Sequence, residues 1–190
     1  MIITFTGPMH SGKSEGISNV YKKIYNKNNI LVFKPKIDTR DLGYVRSLND
    51  DTIIDAICIN KLEEILSYIK EDTSNIIIDE IQFLTGDIKV LLYLSIIKDI
   101  DIYCAGLNMT SEQEPFGIMP YVLAASDKVI NTTASCNICG RNAFYTYYEG
   151  NKDKEVVVGD DNYLSLCSKH LRERREKDQV LKIQYPIKKT

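Results

Sequence analysis

An eight-residue loop near the start of the chain restricts the possible folds most strongly. Residues 7–14 read GPMHSGKS and match the phosphate-loop pattern G-x-x-x-x-G-K-[ST]. An apolar run, IITFT, precedes the loop and a helical spacing of apolar residues follows it, which is the strand–loop–helix context that this pattern requires. In such a unit, backbone N–H groups and the positive end of the helix converge on a phosphate. Lys13 is expected to neutralise the β and γ phosphates, and the Ser14 hydroxyl to bind Mg²⁺. The predicted phosphate-binding residues are Gly7, Pro8, Met9, His10, Ser11, Gly12, Lys13 and Ser14.

A second motif, IIIDEIQF at residues 76–83, supplies carboxylates. An apolar strand that ends in an aspartate resembles a Walker B segment, here Asp79, Glu80, Ile81 and Gln82, whose aspartate helps to hold Mg²⁺. Glu80 follows directly and is positioned to accept a proton from an attacking oxygen. Because a doubly wound sheet presents the carboxyl ends of its strands to one crevice, the two motifs are expected to meet. The residues predict a P-loop nucleoside-triphosphate enzyme and leave open hydrolysis or transfer to another substrate.

The arrangement of apolar segments predicts the fold class. Strand-like and helix-like segments alternate through about residue 133, which favours an α/β fold with an open, mostly parallel sheet and helices on both faces. We expect a P-loop domain at 1–133, a β-rich domain at 134–171 and a charged tail at 172–190 that frays. TIIDAICI is expected to form one strand, KLEEILSYIK an amphipathic helix, and residues 38–51 a loop.

Four residues in the second part have the spacing of a metal site. Cys136 and Cys139 form C-x-x-C, and Cys167 and His170 form C-x-x-H. Two such pairs give four ligands and leave no open coordination position, so the predicted Zn²⁺ is structural. Because this lobe has little apolar material, the metal would substitute for a core. The alternative is two reduced surface thiols and an unrelated Cys167 and His170.

Composition narrows the class of protein. A chain of 190 residues fits one ordinary domain with a small appendage, and its net charge of −2 argues against general nucleic-acid binding, since such proteins are usually basic. Five cysteines, an odd number, are a poor disulfide framework. No leader-like segment and no apolar run of membrane-spanning length is seen, so we expect a cytoplasmic protein with reduced thiols and no membrane partner.

The order of the motifs resembles that of one family. Over residues 1–171 the chain carries GPMHSGKS, LVFKPKIDTR, IIIDEIQF, AGLN followed by EPFG, CNIC and GDDNYLSLCSKH. This series is similar to that of the type II, or cellular-type, thymidine kinases. One phosphate loop is common, whereas the whole series followed by a zinc lobe is specific. The resemblance implies transfer of the γ-phosphate of ATP to the 5′-hydroxyl of thymidine, with Mg²⁺ and structural Zn²⁺ as cofactors and Glu80 as the general base.

The same resemblance implies a nucleoside pocket closed by a lasso loop over about residues 152–163. Held at both ends by metal ligands, this loop would close without the full entropy loss of a free loop. The implied nucleoside-binding residues are Met9, Asp38, Arg40, Phe83, Leu107, Phe116, Thr146, Val156, Val157, Val158 and Tyr163. A homotetramer and feedback inhibition by thymidine triphosphate are further implications.

Four residues depart from the family pattern. Ser111 replaces a frequent aromatic residue, Asn108 a usual aspartate, and Tyr148 and Ser168 stand where basic residues are expected. Two of them, Ser111 and Asn108, keep open a deoxynucleoside kinase with another base preference. A third alternative is a P-loop ATPase whose zinc ribbon binds nucleic acid; basic residues over 169–177 support it, whereas their interspersed glutamates and the net charge oppose it.

Overall fold

The computed structural model describes residues 1–24, 29–38, 43–46, 52–150 and 162–178. Its strands are Ile2–Thr6 (β1), Ile30–Pro35 (β2), Tyr44–Arg46 (β3), Ile53–Asp55 (β4), Ile57–Ile59 (β5), Asn75–Ile78 (β6), Asp101–Gly106 (β7), Lys128–Asn131 (β8), Ala134–Ser135 (β9), Asn142–Ala143 (β10), Tyr145–Tyr148 (β11) and Tyr163–Leu166 (β12). Six of them form one sheet in the order β5-β2-β6-β7-β1-β8, in which every neighbouring pair is parallel. Three two-stranded sheets, β3–β4, β9–β10 and β11–β12, complete the β-structure of these residues.

Helices cover the large sheet and extend the C-terminal region. The α-helices are Lys13–Ile24 (α1), Lys89–Ile96 (α2), Met119–Ala125 (α3) and Ser168–Asp178 (α4), and Leu62–Tyr68 and Ile81–Phe83 form 3₁₀ helices. Among the described helices, none combines the length and apolarity needed to cross a bilayer. The predicted α/β class with a mostly parallel sheet is confirmed.

The apolar run in β6 shows why the sheet is buried on both sides. Ile76 and Ile78 are fully buried in one cluster with Leu91 of α2, whereas Ile77 between them is buried in another cluster with Ile17 of α1. Successive side chains of a strand point to opposite faces, so a continuous apolar run requires cover on both faces. The described part of the sheet therefore has helices on both sides, which leaves its strand ends accessible for a site.

One local prediction is wrong, and another is confirmed with a different helix type. TIIDAICI forms two strands in different sheets, because β4 pairs antiparallel with β3 whereas β5 pairs parallel with β2. KLEEILSYIK forms the predicted helix, which is of the 3₁₀ type and buries Leu62 and Ile65; the Glu64 carboxylate accepts hydrogen bonds from the Asn60 and Lys61 N–H groups, both at 2.9 Å. The predicted loop at 38–51 contains β3, and residues 39–42 and 47–51 lie outside the described part of the chain.

The C-terminal region has a small apolar cluster of its own. Ala134, Ala143, Tyr147 and Leu166 are buried together with Cys136, Cys167 and Leu171. Helix α4 continues from this cluster, so residues 172–178, which were expected to fray, are helical. Residues 179–190 lie outside the described part of the chain.

Candidate active site and metal centre

The phosphate loop connects β1 to α1 and packs against the end of β8. Gly7 passes so close to Thr132 that a Cβ at this position would collide with the Thr132 carbonyl and hydroxyl oxygens. The Ser11 and Thr132 hydroxyls lie 2.7 Å apart, and the Thr132 hydroxyl donates to the Thr6 carbonyl at 3.0 Å. These contacts hold the loop at the carboxyl end of the sheet.

Lys13 lies at the first position of α1 and is buried. Its Nζ donates to the Pro8 carbonyl at 2.6 Å and lies 3.4 Å from Ser11 Oγ. Gly12 has a φ of +80° and its carbonyl accepts from the Gly16 N–H at 3.1 Å, which starts the helix. The ammonium group is therefore folded against the loop whose N–H groups surround the phosphate position in motifs of this kind.

The carboxylates of the second motif lie at the end of β6. Asp79 is buried, and burial and the charge of Glu80 raise its pKa to about 7, whereas Lys13 acts in the opposite direction and Asp38 adds to the rise. Asp79 therefore interacts electrostatically with Lys13 of the first motif and with Asp38. The Asp79 carboxylate and the Ser14 hydroxyl are hard oxygen donors, which fits a Mg²⁺ ion at this edge of the sheet.

Glu80 has an uncommon backbone conformation. Its φ of 50° and ψ of 37° lie in the left-handed region, which a non-glycine residue rarely occupies. Such conformations persist where the surrounding structure enforces them, and they cluster at functional sites. The turn directs the chain from β6 into the 3₁₀ helix that carries Gln82 and Phe83.

Gln82 connects Glu80 to the next strand end. Its Nε2 donates to the Glu80 carboxylate at 2.5 Å, and its Oε1 accepts from the Leu107 N–H at 3.1 Å. A Cβ at Gly106 would lie 2.5 Å from Gln82 Oε1, and one at Gly117 would collide with the Gln82 carbonyl oxygen. Two glycines therefore allow the buried amide to hold Glu80 in place.

Asp38 is fixed by a buried lysine. Lys34 Nζ lies 3.1 Å from the Asp38 carboxylate and donates to the Tyr44 carbonyl at 3.0 Å. Both charged side chains are buried, so removing either one would leave an uncompensated charge. The local sequence did not identify Lys34 as part of the site.

Met9 of the phosphate loop is held by two hydroxyl groups of the C-terminal region. Its N–H donates to Thr146 Oγ1 at 3.0 Å, and its carbonyl accepts from Ser165 Oγ at 2.7 Å. Thr146 and Ser165 are direct partners across the β11–β12 pair. We call this arrangement the hydroxyl clamp. Sequence reasoning missed Ser165, and its partner lies 156 residues away in the chain.

Two aromatic pairs lie among the predicted pocket residues. Phe83 and Phe116 make an edge-to-face contact with ring centroids 5.2 Å apart. Tyr163 packs against Tyr148 across β11 and β12, with ring centroids 4.8 Å apart. Tyr148, one of the departures from the family pattern, therefore contacts a predicted nucleoside-binding residue. Arg40 and Val156, Val157 and Val158 lie outside the described residues.

The four predicted metal ligands converge. Cys136, Cys139, Cys167 and His170 place one ligand atom each within 4.8 Å of all the others. The Cys139 and Cys167 sulfurs are 3.9 Å apart, and His170 Nδ1 is 3.4 Å from the sulfurs of Cys136 and Cys167. Zn–S bonds of about 2.3 Å in a tetrahedron place sulfurs about 3.8 Å apart, so the group fits zinc.

The surroundings of the ligands suit a cation. Burial raises the pKa of the Cys136 thiol, but N–H groups of Cys167, Ile138 and Cys139 and the His170 ring outweigh it, and the pKa is lowered to about 6. His170 Nε2 lies 4.0 Å from the Glu173 carboxylate, the usual kind of outer partner for a ligating histidine. All five cysteines are free, so no disulfide competes for these sulfurs.

Comparison with known proteins decides the family. A model of the thymidine kinase family matches residues 1–171. This chain belongs to the thymidine kinase family. The family assignment confirms the resemblance in the motif series, and it makes the protein a kinase, that is, an enzyme.

Relatives in the thymidine kinase family extend over most of the chain. A thymidine kinase of Pseudothermotoga lettingae is 32% identical over 165 residues, which cover 85% of this chain and 89% of the relative. A thymidine kinase of Mycoplasma genitalium is 36% identical over 86% of this chain and 79% of the relative. One of Mycoplasma mobile is 32% identical over 95% of this chain and 92% of the relative. Among solved structures, the Thermotoga maritima RuvB Holliday junction branch migration motor is 15% identical, with a TM-score of 0.39 over 68% of this chain and 36% of that one, too weak a likeness to support an argument.

Proposed function

We propose that this protein transfers the γ-phosphoryl group of ATP to the 5′-hydroxyl of thymidine, forming thymidine monophosphate and ADP. The observation that carries the proposal is that the phosphate loop follows β1 and that Asp79 and Glu80 follow β6, so both motifs lie at the carboxyl ends of strands in one parallel sheet. Membership of the thymidine kinase family supports the choice of acceptor.

In the proposed reaction the 5′-oxygen attacks the γ-phosphorus while the bond to the β,γ-bridging oxygen breaks. Glu80 takes the proton of the hydroxyl, and the bridging oxygen leaves with ADP. Lys13 stabilises the charge on the transferring group. A Mg²⁺ ion held by Ser14 and Asp79 would neutralise the phosphate oxygens. Gln82 keeps the Glu80 carboxylate in one orientation through its 2.5 Å hydrogen bond.

The C-terminal region supplies the nucleoside side of the proposed site. We place a domain boundary at 133/134, with the zinc lobe at 134–171 and the remaining chain, 172–190, as a C-terminal extension. Zinc on the three cysteines and His170 would fix this lobe, and the hydroxyl clamp joins it to the phosphate loop. Thymidine would lie between Met9, the Phe83–Phe116 pair and the lasso loop.

The first prediction concerns the acceptor. With ATP and Mg²⁺, the protein is expected to convert thymidine to thymidine monophosphate with a kcat/KM at least about 100-fold above that for deoxycytidine and the purine deoxynucleosides, because a site built for one base leaves polar groups unpaired with another. Steady-state rates from a panel of four deoxynucleosides measure this ratio. Similar values across the panel would favour the deoxynucleoside kinase with another base preference. DNA-stimulated ATP hydrolysis without any nucleoside would favour the nucleic-acid ATPase.

A second prediction tests the hydroxyl clamp. Ser165→Ala removes the donor to the carbonyl of the half-buried Met9, and the loss of a hydrogen bond costs about 0.5–1.5 kcal/mol, so kcat/KM for thymidine is expected to fall roughly tenfold. The zinc content should be unchanged, since Ser165 is not a ligand. Enzyme assays with metal analysis of the same preparation provide both measurements.

Ser126→Ala is the matched control for this variant. Its hydroxyl also donates to a backbone carbonyl, that of Val122 at 2.7 Å, but at the end of α3 and away from the phosphate loop. It should lower stability without lowering kcat/KM. Equal kinetic losses in both variants would mean that the Ser165 effect is one of general stability.

Two further properties belong to the proposal through the family resemblance, a homotetrameric state and feedback inhibition by thymidine triphosphate. A cytoplasmic location is proposed on the separate ground that all five cysteines are free, which is typical of a reducing compartment.

A further inference from the structure

Helix α4 carries one buried arginine among exposed charges. The side chain of Arg175 is 2% exposed, whereas that of Arg172, one turn earlier, is 69% exposed. A buried guanidinium is tolerated only when it is paired and hydrogen-bonded. Arg175 also lies beyond residues 1–171, the part of the chain that the family model matches. The contacts of the Arg175 side chain should therefore explain why it is buried.

The contacts of Arg175 converge on one tight turn at residues 110–114. Its Nη1 lies 2.9 Å from the Glu112 carboxylate, its Nε donates to Gln113 Oε1 at 2.8 Å, and its Nη2 donates to the Ser111 carbonyl. The guanidinium carbon of Arg175 lies over the Tyr147 ring, 5.1 Å from its centroid. The planar fork of arginine makes two hydrogen bonds and one ion pair at once, which a lysine ammonium cannot reproduce in this geometry.

Gln113 connects this turn to strand β11. Gln113 Nε2 donates to the Ser111 carbonyl at 2.6 Å and to the Thr146 carbonyl at 3.1 Å. Gln113 has a φ of 63°, so its backbone is held in the left-handed region. Thr146 in turn accepts the Met9 N–H. A continuous series of contacts thus runs from Arg175 through Gln113 and Thr146 to the phosphate loop.

The same turn leads into a wall of the proposed pocket. Thr110 and Glu114 close it with an N–H to carbonyl hydrogen bond of 2.8 Å, and Pro115 and Phe116 follow directly. The Phe116 ring then packs on Phe83. The position of the turn therefore affects two predicted nucleoside contacts, Thr146 and Phe116.

We infer that Arg175 is a positioning residue for the nucleoside: it fixes the 110–114 turn against β11 and so sets Thr146 and Phe116 at the thymidine side of the site. This inference rests on the proposed thymidine kinase function. Arg175 touches no reacting atom and acts through Gln113. Ser111, a departure from the family pattern, takes part in this contact because its carbonyl accepts a hydrogen bond from Arg175.

The test uses the full chain with Arg175→Ala and Arg175→Lys, and Arg172→Ala as the control on the exposed side of the same helix. Both Arg175 variants are expected to raise the KM for thymidine about tenfold while the KM for ATP changes less than about twofold, because Ser165 still holds the Met9 carbonyl of the phosphate loop. Arg172→Ala should leave both constants unchanged. If Arg175→Ala does not fold, Arg175→Lys and Gln113→Ala provide the measurement.

A double-mutant cycle distinguishes a role of Arg175 in positioning the nucleoside from a role in attaching helix α4 to the rest of the protein. Gln113→Ala should raise the thymidine KM to a similar extent, and the Arg175→Lys/Gln113→Ala double variant should show little further increase, since both act through one series of contacts. A lowered melting temperature with an unchanged thymidine KM, or fully additive effects, would overturn the inference. A wild-type protein that does not phosphorylate thymidine would instead refute the proposed function.

Discussion

Replacing Glu80 with glutamine is expected to reduce kcat for thymidine phosphorylation about 10³-fold, within the range of 10²–10⁴ that general base catalysis contributes. Glutamine keeps the size of the side chain and an oxygen that can accept the hydrogen bond from Gln82, but it cannot take the proton of the 5′-hydroxyl. The KM for ATP should stay within about threefold of the wild-type value, because Lys13 and the phosphate loop are unchanged. Initial rates over a matrix of ATP and thymidine concentrations measure both effects.

Glu71→Gln is the control for this substitution, since Glu71 is an exposed glutamate in a surface turn. It should retain wild-type kcat. The substitution at Glu80 also removes one of the charges that raise the pKa of Asp79, so Asp79 should be ionised more readily in the variant and the proposed Mg²⁺ site should be preserved. A kcat of Glu80→Gln within tenfold of wild type would assign the base to another residue.

The parts of the fold that could be predicted from the sequence depend on neighbouring residues. The phosphate loop and the Asp79–Glu80 pair are local patterns, and each follows an apolar strand. Ile76–Ile78 form a run that only a strand buried on both faces accommodates, and the structure divides these residues between two clusters. The metal ligands form two short-range pairs, so their convergence could also be expected.

Residues whose role depends on distant partners could not be predicted. Ser165 and Arg175 have no local signature, because one contacts Met9 and the other contacts a turn about 60 residues earlier in the chain. Arg175 lies in a highly charged segment whose composition suggested a fraying tail. Only the packing of α4 against the turn distinguishes it from its exposed neighbours.

The error at TIIDAICI has a related cause. The run has the composition of one strand, but Ala56 donates its N–H to the Gly43 carbonyl at 2.8 Å, between the two strands. The chain leaves the β3–β4 hairpin there and enters the parallel sheet. Which sheet a residue joins depends on partners that an apolar pattern does not specify.

Replacing Cys136 with serine is expected to remove zinc and most of the activity together. Serine supplies a poor ligand for Zn²⁺, so the metal content should fall from about one ion per chain to a small fraction of that. Asn137, between the ligands Cys136 and Cys139, pairs with Ser165 through two hydrogen bonds of 3.0 Å and 2.7 Å. Ser165 in turn holds Met9, so loss of the metal should also disturb the position of the phosphate loop. We expect kcat/KM for thymidine to fall about 100-fold or more, beyond the effect of Ser165→Ala alone.

Cys58→Ser provides the comparison, because Cys58 is a free, half-buried cysteine in β5, on the far edge of the large sheet from β8. It should retain both zinc and activity. Metal analysis after dialysis against a chelator, together with the affinity for a fluorescent ATP analogue, shows whether loss of zinc affects thymidine binding alone or ATP binding as well. A zinc-free Cys136→Ser protein with wild-type affinity for the ATP analogue but no turnover of thymidine would confine the metal's influence to the nucleoside side. Weakened affinity for both substrates is the expected result, since the hydroxyl clamp links the two sides through the backbone of Met9.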